Sequence, residues 1–491
     1  MATEQDIPRH LRSPGEEGYR TPTIEDAEQA LSILGAIEDN PRVHQVHSSA
    51  LEAALQRASS RVTVKSKPDK EEPGNKEEPG TCRDHNGLGL FGLKRTVSGE
   101  LGWKKRIRHV TWAYFTLTMA TGGLANVLYY VPFRFKGLST IGIVIFLINI
   151  ALYLLIWTAM FIRFYNFPYT FKASLMHPTE SLFVPASLVS FGTILINISQ
   201  YGPEHTGPWL MRAVCILFWI DAALAVTFSA GIYLLLWSTQ TFTIAQMTPI
   251  WIFPAYPMLI IGPHAGILAS KLDPSQSLPV IIGGVTIQGV GFLVSLMVYS
   301  AFIYRLMTQK LPKENLRPGM FVSVGPSGFT VAGLVNMAAG AKRSFPVGFM
   351  GDGRLAADVL RIVADFSCLW LWGLAIFFFL IAGAAHWSAI GHGRIDFSMT
   401  WFSFIFPNTA LITATFAIGK AFSCKAINIV GCVMVFPLLL MYFFVCYMMI
   451  RAIITRQIMW PQKGEDRDEG GFEIVKVRPA GSSEDESGSP A

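Results

Sequence analysis

The chain has 491 residues, of which 51% are hydrophobic, 12% aromatic and only 15% charged, with a formal net charge of +6. A soluble domain carries nearer a quarter charged residues, and here the apolar residues gather in runs, such as 138–162 and 425–450, long enough to cross a bilayer. These figures exclude a soluble enzyme or a nucleic-acid partner and point to a polytopic protein whose surroundings are the lipid bilayer. The six cysteines (Cys82, Cys215, Cys368, Cys424, Cys432, Cys446) lie mostly inside apolar stretches without CxxC spacing, so they read as packing residues rather than a metal site or disulfide framework. No nucleotide-binding loop or catalytic cluster is evident, and "GGVTIQGVG" lies within an apolar segment as a helix contact. Neither an enzymatic activity nor a cofactor is expected.

Residues 1–100 are polar, with no cleavable leader, and read as a cytoplasmic, mostly disordered tail. An amphipathic stretch carries Leu31, Ile33, Leu34 and Ile37, a tandem "KEEPG" follows at 70–74 and 76–80, and Thr96 and Ser98 stand behind two basic residues in "KRTVS". Residues 454–491 form a second, acidic tail. The domain between them, 101–453, holds 22 Lys/Arg against nine Asp/Glu, a balance of +13 that attracts anions or, on the plainer reading, only sets topology.

Ten apolar segments are expected in this domain, at about 108–130, 138–162, 180–201, 209–237, 244–269, 279–306, 317–340, 355–385, 396–419 and 425–452. The even-numbered ones are plain. The odd-numbered ones are interrupted, by "MATGGLA", "LFVPASLVSFG", "IFPAYPMLIIGP", "FVSVGPSGF" and "FIFPNTA" in turn. Broken helices are tolerated in hydrocarbon only where protein or water satisfies the freed backbone. The alternation therefore predicts an all-α membrane fold of five hairpins, with kinked odd helices around a central pathway and plain ones facing lipid. Lys104, Lys105, Arg106 and Arg108 before the first segment, with Arg305, Lys310, Lys313 and Arg317 between the sixth and seventh, put both termini in the cytoplasm.

If helices restart at the breaks, their N-termini offer N–H groups and positive dipole ends to a carboxylate. That marks Gly122, Gly123, Pro185, Pro254, Pro257, Pro326 and Pro407 as pathway positions, with Thr121, Ser187, Ser327, Asn408 and Thr409 as hydroxyl or amide donors; kinks that serve packing alone are the other reading. His264 in "IIGPHAG" is either a substrate contact that titrates near neutral pH or a packing histidine. Arg108, His109 and Lys420 stand at segment ends, where they either draw anions to the pore mouths or anchor the helices at the interface. Arg354, Asp358, Arg361 and Asp365 alternate along one face of the eighth segment and read as a structural ladder. Asp221 on the fourth segment reads the same way.

"RHVTWAYFTLTMATGGLANVL", "FKASLMHPTESLFVP", "TGPWL", "MTPIWIFPAYP" and "RPGMFVSVGPSGFT" resemble fungal malic-acid permeases, C4-dicarboxylate transporters of the tellurite-resistance/dicarboxylate group that are related to plant slow anion channels. The resemblance covers about 105–455. It implies ten helices around a quasi-fivefold pore, often a homotrimer, in the plasma membrane. It also implies dicarboxylate substrates (malate, with succinate, fumarate and malonate as further candidates) and protons as co-substrate or charge-carrying, channel-like conduction. In the channel relatives a phenylalanine of the ninth helix plugs the pore before a kink, and "WFSFIFPNTA" puts Phe406 at that position. A sulfite or small-anion exporter on the same scaffold, and an anion sensor that binds without transport, are the alternatives.

Overall fold

The computed structural model describes residues 103–239, 243–244, 247–387 and 397–459; the expected tails, apart from 454–459, lie outside the described residues. Ten long helices follow in chain order: α1 (Phe115–Tyr130), α2 (Leu138–Asn166), α3 (Ala186–Tyr201), α4 (Trp209–Thr239), α5 (Tyr256–Ala269), α6 (Pro274–Gln309), α7 (Gly325–Ser344), α8 (Gly353–Trp387), α9 (Phe406–Ala421) and α10 (Lys425–Ile454). Taken with the turns that lead into them, α2 to α10 are each long and apolar enough to cross a membrane. The remaining long helix, α1, runs with its leading turn from Trp112 to Tyr130 and packs among the same helices. No strand occurs among the described residues.

The odd helices are short for a physical reason. At 1.5 Å per residue, the 14 residues of α5 rise only about 21 Å, less than the roughly 30 Å of a hydrocarbon core. A tighter and longer-reaching segment completes four of these crossings. The 3₁₀ helices Trp112–Tyr114, Pro249–Ala255, Glu314–Val324 and Met399–Phe404 lead into α1, α5, α7 and α9, and the short helix Glu180–Phe183 leads into α3. Prolines mark the junctions where a missing N–H is least costly: Pro185 is the N-cap of α3, and Pro257, Pro326 and Pro407 stand in the first turns of α5, α7 and α9.

Two details differ from the expectation. In the first segment the break lies at Trp112–Tyr114, while "MATGGLA" runs through unbroken helix, because Gly122 and Gly123 admit neighbouring side chains instead of ending a turn. The junctions are also closed rather than open. Phe115, Tyr256, Gly325 and Ile405 donate their N–H groups to the carbonyls of Trp112, Phe253, Val322 and Phe402, so fewer backbone donors remain for an anion than free N-termini would offer.

Burial separates the two sets of helices. The crossings that contain α3, α5, α7 and α9 are 83%, 100%, 89% and 94% buried over their most apolar stretch, whereas the even helices are 22–33% buried and turn most of their surface outward. All of α1 from Phe115 to Leu128 is buried as well. The inner helices pack in the order α1, α3, α5, α7, α9, and α9 returns to α1, which closes a ring; each even helix packs on the inner helix of its own hairpin and on the next one. Because an even helix crosses back after every odd one, all five inner helices begin at one face and end at the other. The closest approaches need glycine: a Cβ on Gly333 of α7 would stand 2.8 Å from the Gly262 carbonyl carbon of α5, and one on Gly328 would stand 2.8 Å from that of Ala410 in α9.

At the face where the inner helices begin, Arg163 near the end of α2 pairs with Glu180 at 2.7 Å, both side chains fully buried, and donates to the Val110 carbonyl at 2.6 Å. One guanidinium thus ties α2 to the segments leading into α1 and α3. The charges on α8 are more loosely held: Arg361 reaches Asp365 at 3.8 Å, while Asp358 pairs with Lys342 of α7 at 3.6 Å rather than with Arg354. Removing one partner of a buried pair strands the other charge. Glu180→Ala is therefore expected to cost about 3–5 kcal/mol and Glu180→Gln less, read as a lower melting temperature and a smaller monodisperse fraction in detergent. A melting temperature unchanged in Glu180→Ala would show that the pair does not hold this face.

Candidate functional site

Where the 3₁₀ segments become α-helix, side chains from several inner helices meet. Phe406, the first residue of α9, is 3% exposed, and its ring lies 5.1 Å from that of Phe329 on α7 and 6.0 Å from that of Tyr256 on α5. On its other side a Cβ added to Gly123 of α1 would meet the Phe406 ring at 3.3 Å and the Thr409 hydroxyl at 2.7 Å. One side chain of α9 therefore touches α1, α5 and α7. Since α5 is not next to α9 in the ring, the Phe406 ring reaches across the middle.

Tyr256 is the residue that sequence reasoning passed over. It stands directly before Pro257 as Phe406 stands before Pro407, so the two occupy matching places in their repeats. Its hydroxyl donates to the Val322 carbonyl and lies where a side chain on Gly325 would have to be, so Gly325 makes room for it. The signal was present in the recurrent aromatic-Pro pairs of "AYP" and "IFP". Beside Phe406 lies a small cavity lined by Thr116, Met119, Phe253, Phe402, Ser403, Phe406 and Pro407, with room for no more than about one water.

The sequence-derived donors divide by direction. Gly123, Thr409, Asn408 and Pro407 gather at or beside Phe406; the Asn408 amide donates to the Phe404 carbonyl, and its Oδ1 has no partner. Thr409 donates to the Phe406 carbonyl. Ser187, beside Pro185, donates to the Val184 carbonyl, and Ser327, beside Pro326, is fully buried two residues before Phe329. Pro254 lies inside the 3₁₀ segment whose neighbour Phe253 lines the cavity. Thr121 faces outward, 3.0 Å from the Tyr442 hydroxyl of α10, and Gly122 faces Asn149 of α2 and Thr193 of α3. His264 is fully buried with Nε2 3.3 Å from the Ser199 hydroxyl of α3 and its ring against Phe218 of the outer helix α4.

Charges sit at the two ends of the ring. Arg108 lies over the rings of Phe167 and Tyr169 at 5.9 and 5.8 Å, and the His109 N–H donates to the Arg106 carbonyl. At the opposite end cations meet helix C-termini, where carbonyls lack partners. Arg134 donates to the Tyr129 carbonyl of α1, Lys271 to those of Ser199 and Gln200 in α3, and Arg343 to those of Ser270 and Leu272 just after α5. Burial holds the Lys271 ammonium below the usual lysine range, against the opposing pull of Glu204. Lys420, in the last turn of α9, is exposed. Among the described residues no group of His, Cys, Asp and Glu is arranged to hold a metal.

The sequence pattern of voltage-dependent anion channels matches residues 109–450, the whole of the ring and its outer helices. The chain belongs to that family. Within it, this member is 33% identical over 363 residues to a malic acid transport protein of Schizosaccharomyces pombe, covering 74% of this chain and 82% of the relative. A putative malic acid transport protein of the same yeast is 32% identical over 380 residues, 77% of this chain and 88% of the relative. A sulfite efflux pump of Trichophyton rubrum is 27% identical over 325 residues, 66% and 84% of the two chains. The chain is a multi-pass membrane protein of an anion-transporting family, and these relatives bear the names of transport proteins.

The place of His264 generates a test. His264→Gln keeps a polar group within reach of Ser199, so transport is expected to stay within about twofold of wild type at both pH 5 and pH 8 in reconstituted vesicles. A loss confined to pH 5, where a free imidazole of pKa about 6.5 is charged, would instead make His264 part of the anion's route.

Proposed function

We propose that this protein carries malate and related C4-dicarboxylates across the plasma membrane through the ring of inner helices, with Phe406 as the gate. The observation that carries the proposal is the reach of Phe406 across the ring to Gly123, Tyr256 and Phe329. Rotation of this ring out of the centre, away from Gly123 against which it packs, opens a route. The +13 balance of residues 101–453 raises the local anion concentration and disfavours cations. Hydroxyl and amide groups of Ser187, Ser327, Asn408 and Thr409, beside the proline junctions, serve as donors once the gate moves. Arg108, His109 and Lys420 draw dianions to the two mouths. Both termini lie in the cytoplasm in this proposal, and protons accompany the acid or charge is carried alone.

The malic acid transport proteins favour a C4-dicarboxylate, and the sulfite efflux pump supports a small anion on the same scaffold as the second reading. Radiolabelled malate flux against sulfite flux, in proteoliposomes with imposed pH and voltage gradients, decides between them. Sulfite flux without malate flux would overturn the dicarboxylate assignment.

Phe406→Ala is expected to raise anion conductance on the order of tenfold, the effect of removing about 1.4 kcal/mol of barrier, while the protein stays monodisperse. Unchanged conductance in a well-folded variant would reduce Phe406 to packing. Deletion of residues 1–95 removes nothing from the ring and is expected to leave flux intact; loss of flux in a correctly inserted deletion would make the tail part of the transport machinery.

A further inference from the structure

The ring is bridged a second time, near the ends of the inner helices. The Asn336 amide of α7 donates to the Tyr130 hydroxyl at the end of α1, at 3.2 Å. These helices are not neighbours in the ring, because α9 stands between them on one side and α3 and α5 on the other. The bond therefore crosses the mouth. A second tie runs beside it: the Lys271 ammonium, just past the end of α5, lies 5.7 Å from the centre of the Tyr129 ring, again across a non-neighbouring pair. Tyr129 and Tyr130 meet edge to face, and Tyr129 packs in the same way on Tyr201 of α3, so the two tyrosines form one braced unit. Next to them Gln200 of α3, fully buried, donates to Asn126 of α1 and keeps an Oε1 without a partner.

The height of this bridge is set by two helices independently. On α1, Tyr130 comes seven residues after Gly123, which touches Phe406; on α7, Asn336 comes seven residues after Phe329, which also touches Phe406. Seven residues of α-helix rise about 10 Å. The two crossings are thus stacked along the ring axis at a spacing greater than the length of a four-carbon diacid. They also differ in chemistry. The one at Phe406 is aromatic and offers an anion nothing, whereas a hydroxyl and an amide N–H are both donors that a carboxylate can accept.

We propose that the pathway has a second closure at this mouth, a Tyr130–Asn336 latch that a carboxylate opens by accepting the two donors in place of their bond to each other. The proposal rests on the transport reading, and it assigns Tyr130 and Asn336 to the admission of carboxylates rather than to helix packing.

The test uses the full chain in proteoliposomes and reads anion leak with both chloride and malate. Tyr130→Phe removes the hydroxyl and keeps the ring, and Asn336→Leu removes the amide at nearly constant shape. A typical hydrogen bond shifts an open–closed balance about three- to tenfold, so each variant is expected to raise the leak by that factor in a Phe406→Ala background, where the aromatic gate no longer limits. The double variant is expected to leak no more than either single one, because both remove the same bond. No rise, or two independent rises that multiply, in well-inserted protein would overturn the latch. Failure of the other readings looks different. If Phe406→Ala has no effect while the latch variants leak, the aromatic gate falls and the latch stands. If chloride leaks and malate does not, the dicarboxylate assignment falls and the latch stands as an anion closure.

Discussion

Every backbone N–H and C=O within hydrocarbon must find a partner inside the protein, and the arrangement of the inner ring follows from that constraint. A helix that simply stopped in mid-membrane would leave orphan donors. Here four of the inner helices pass from 3₁₀ to α geometry, directly at α1, α5 and α7 and across the single residue Ile405 at α9, the junction amides staying bonded three residues back. At α5 and α9 the first residue of the α-helical part is an aromatic ring, Tyr256 and Phe406, and the two lie 6.0 Å apart. Proline in the following turn fixes that geometry at no cost in lost bonds. The aromatic contact thus sits where the backbone changes geometry, and glycines on the neighbouring helices supply the space.

The architecture was legible in the sequence because it rests on composition and repetition. The apolar segments, and the breaks in four of the five interrupted ones, can be read from where Pro and Gly interrupt apolar runs, but the break before the first helix, at Trp112–Tyr114, carries neither residue. The direction in which each side chain points was far less legible. Thr121, Gly122 and Gly123 are consecutive, yet the first faces α10, the second α2 and α3, and the third Phe406. An inner helix is buried all round, so it has no apolar and polar face to set its rotation; the rotation is decided by neighbours distant in sequence. His264 illustrates the same limit, since nothing in "IIGPHAG" tells whether the ring turns to the axis or, as found, to Ser199 and Phe218. Tyr256 could have been found by aligning the aromatic-Pro pairs between repeats, which compares the chain with itself.

Electrostatics divides between the two faces. Where the inner helices end, partial negative charge from unpaired carbonyls would repel an anion. Arg134, Lys271 and Arg343 lie on those carbonyls, and Lys271 and Arg343 reach back from a later point in the chain to the preceding inner helix or the turn just after it. The excess of basic residues in the membrane domain is therefore partly spent on neutralising helix ends, which makes those ends less repulsive to anions.

Five inner helices that all run in one direction leave the ring without any two-fold axis in the plane of the membrane. Its two ends are chemically unlike, with the aromatic contacts of Phe406 nearer one and the Tyr130–Asn336 hydrogen bond nearer the other. Barriers in a fixed order along a polar axis give different forward and backward rates at equal and opposite driving voltage. If the ring conducts as proposed, it rectifies, and the preferred direction follows from the polarity of the helices rather than from any single side chain.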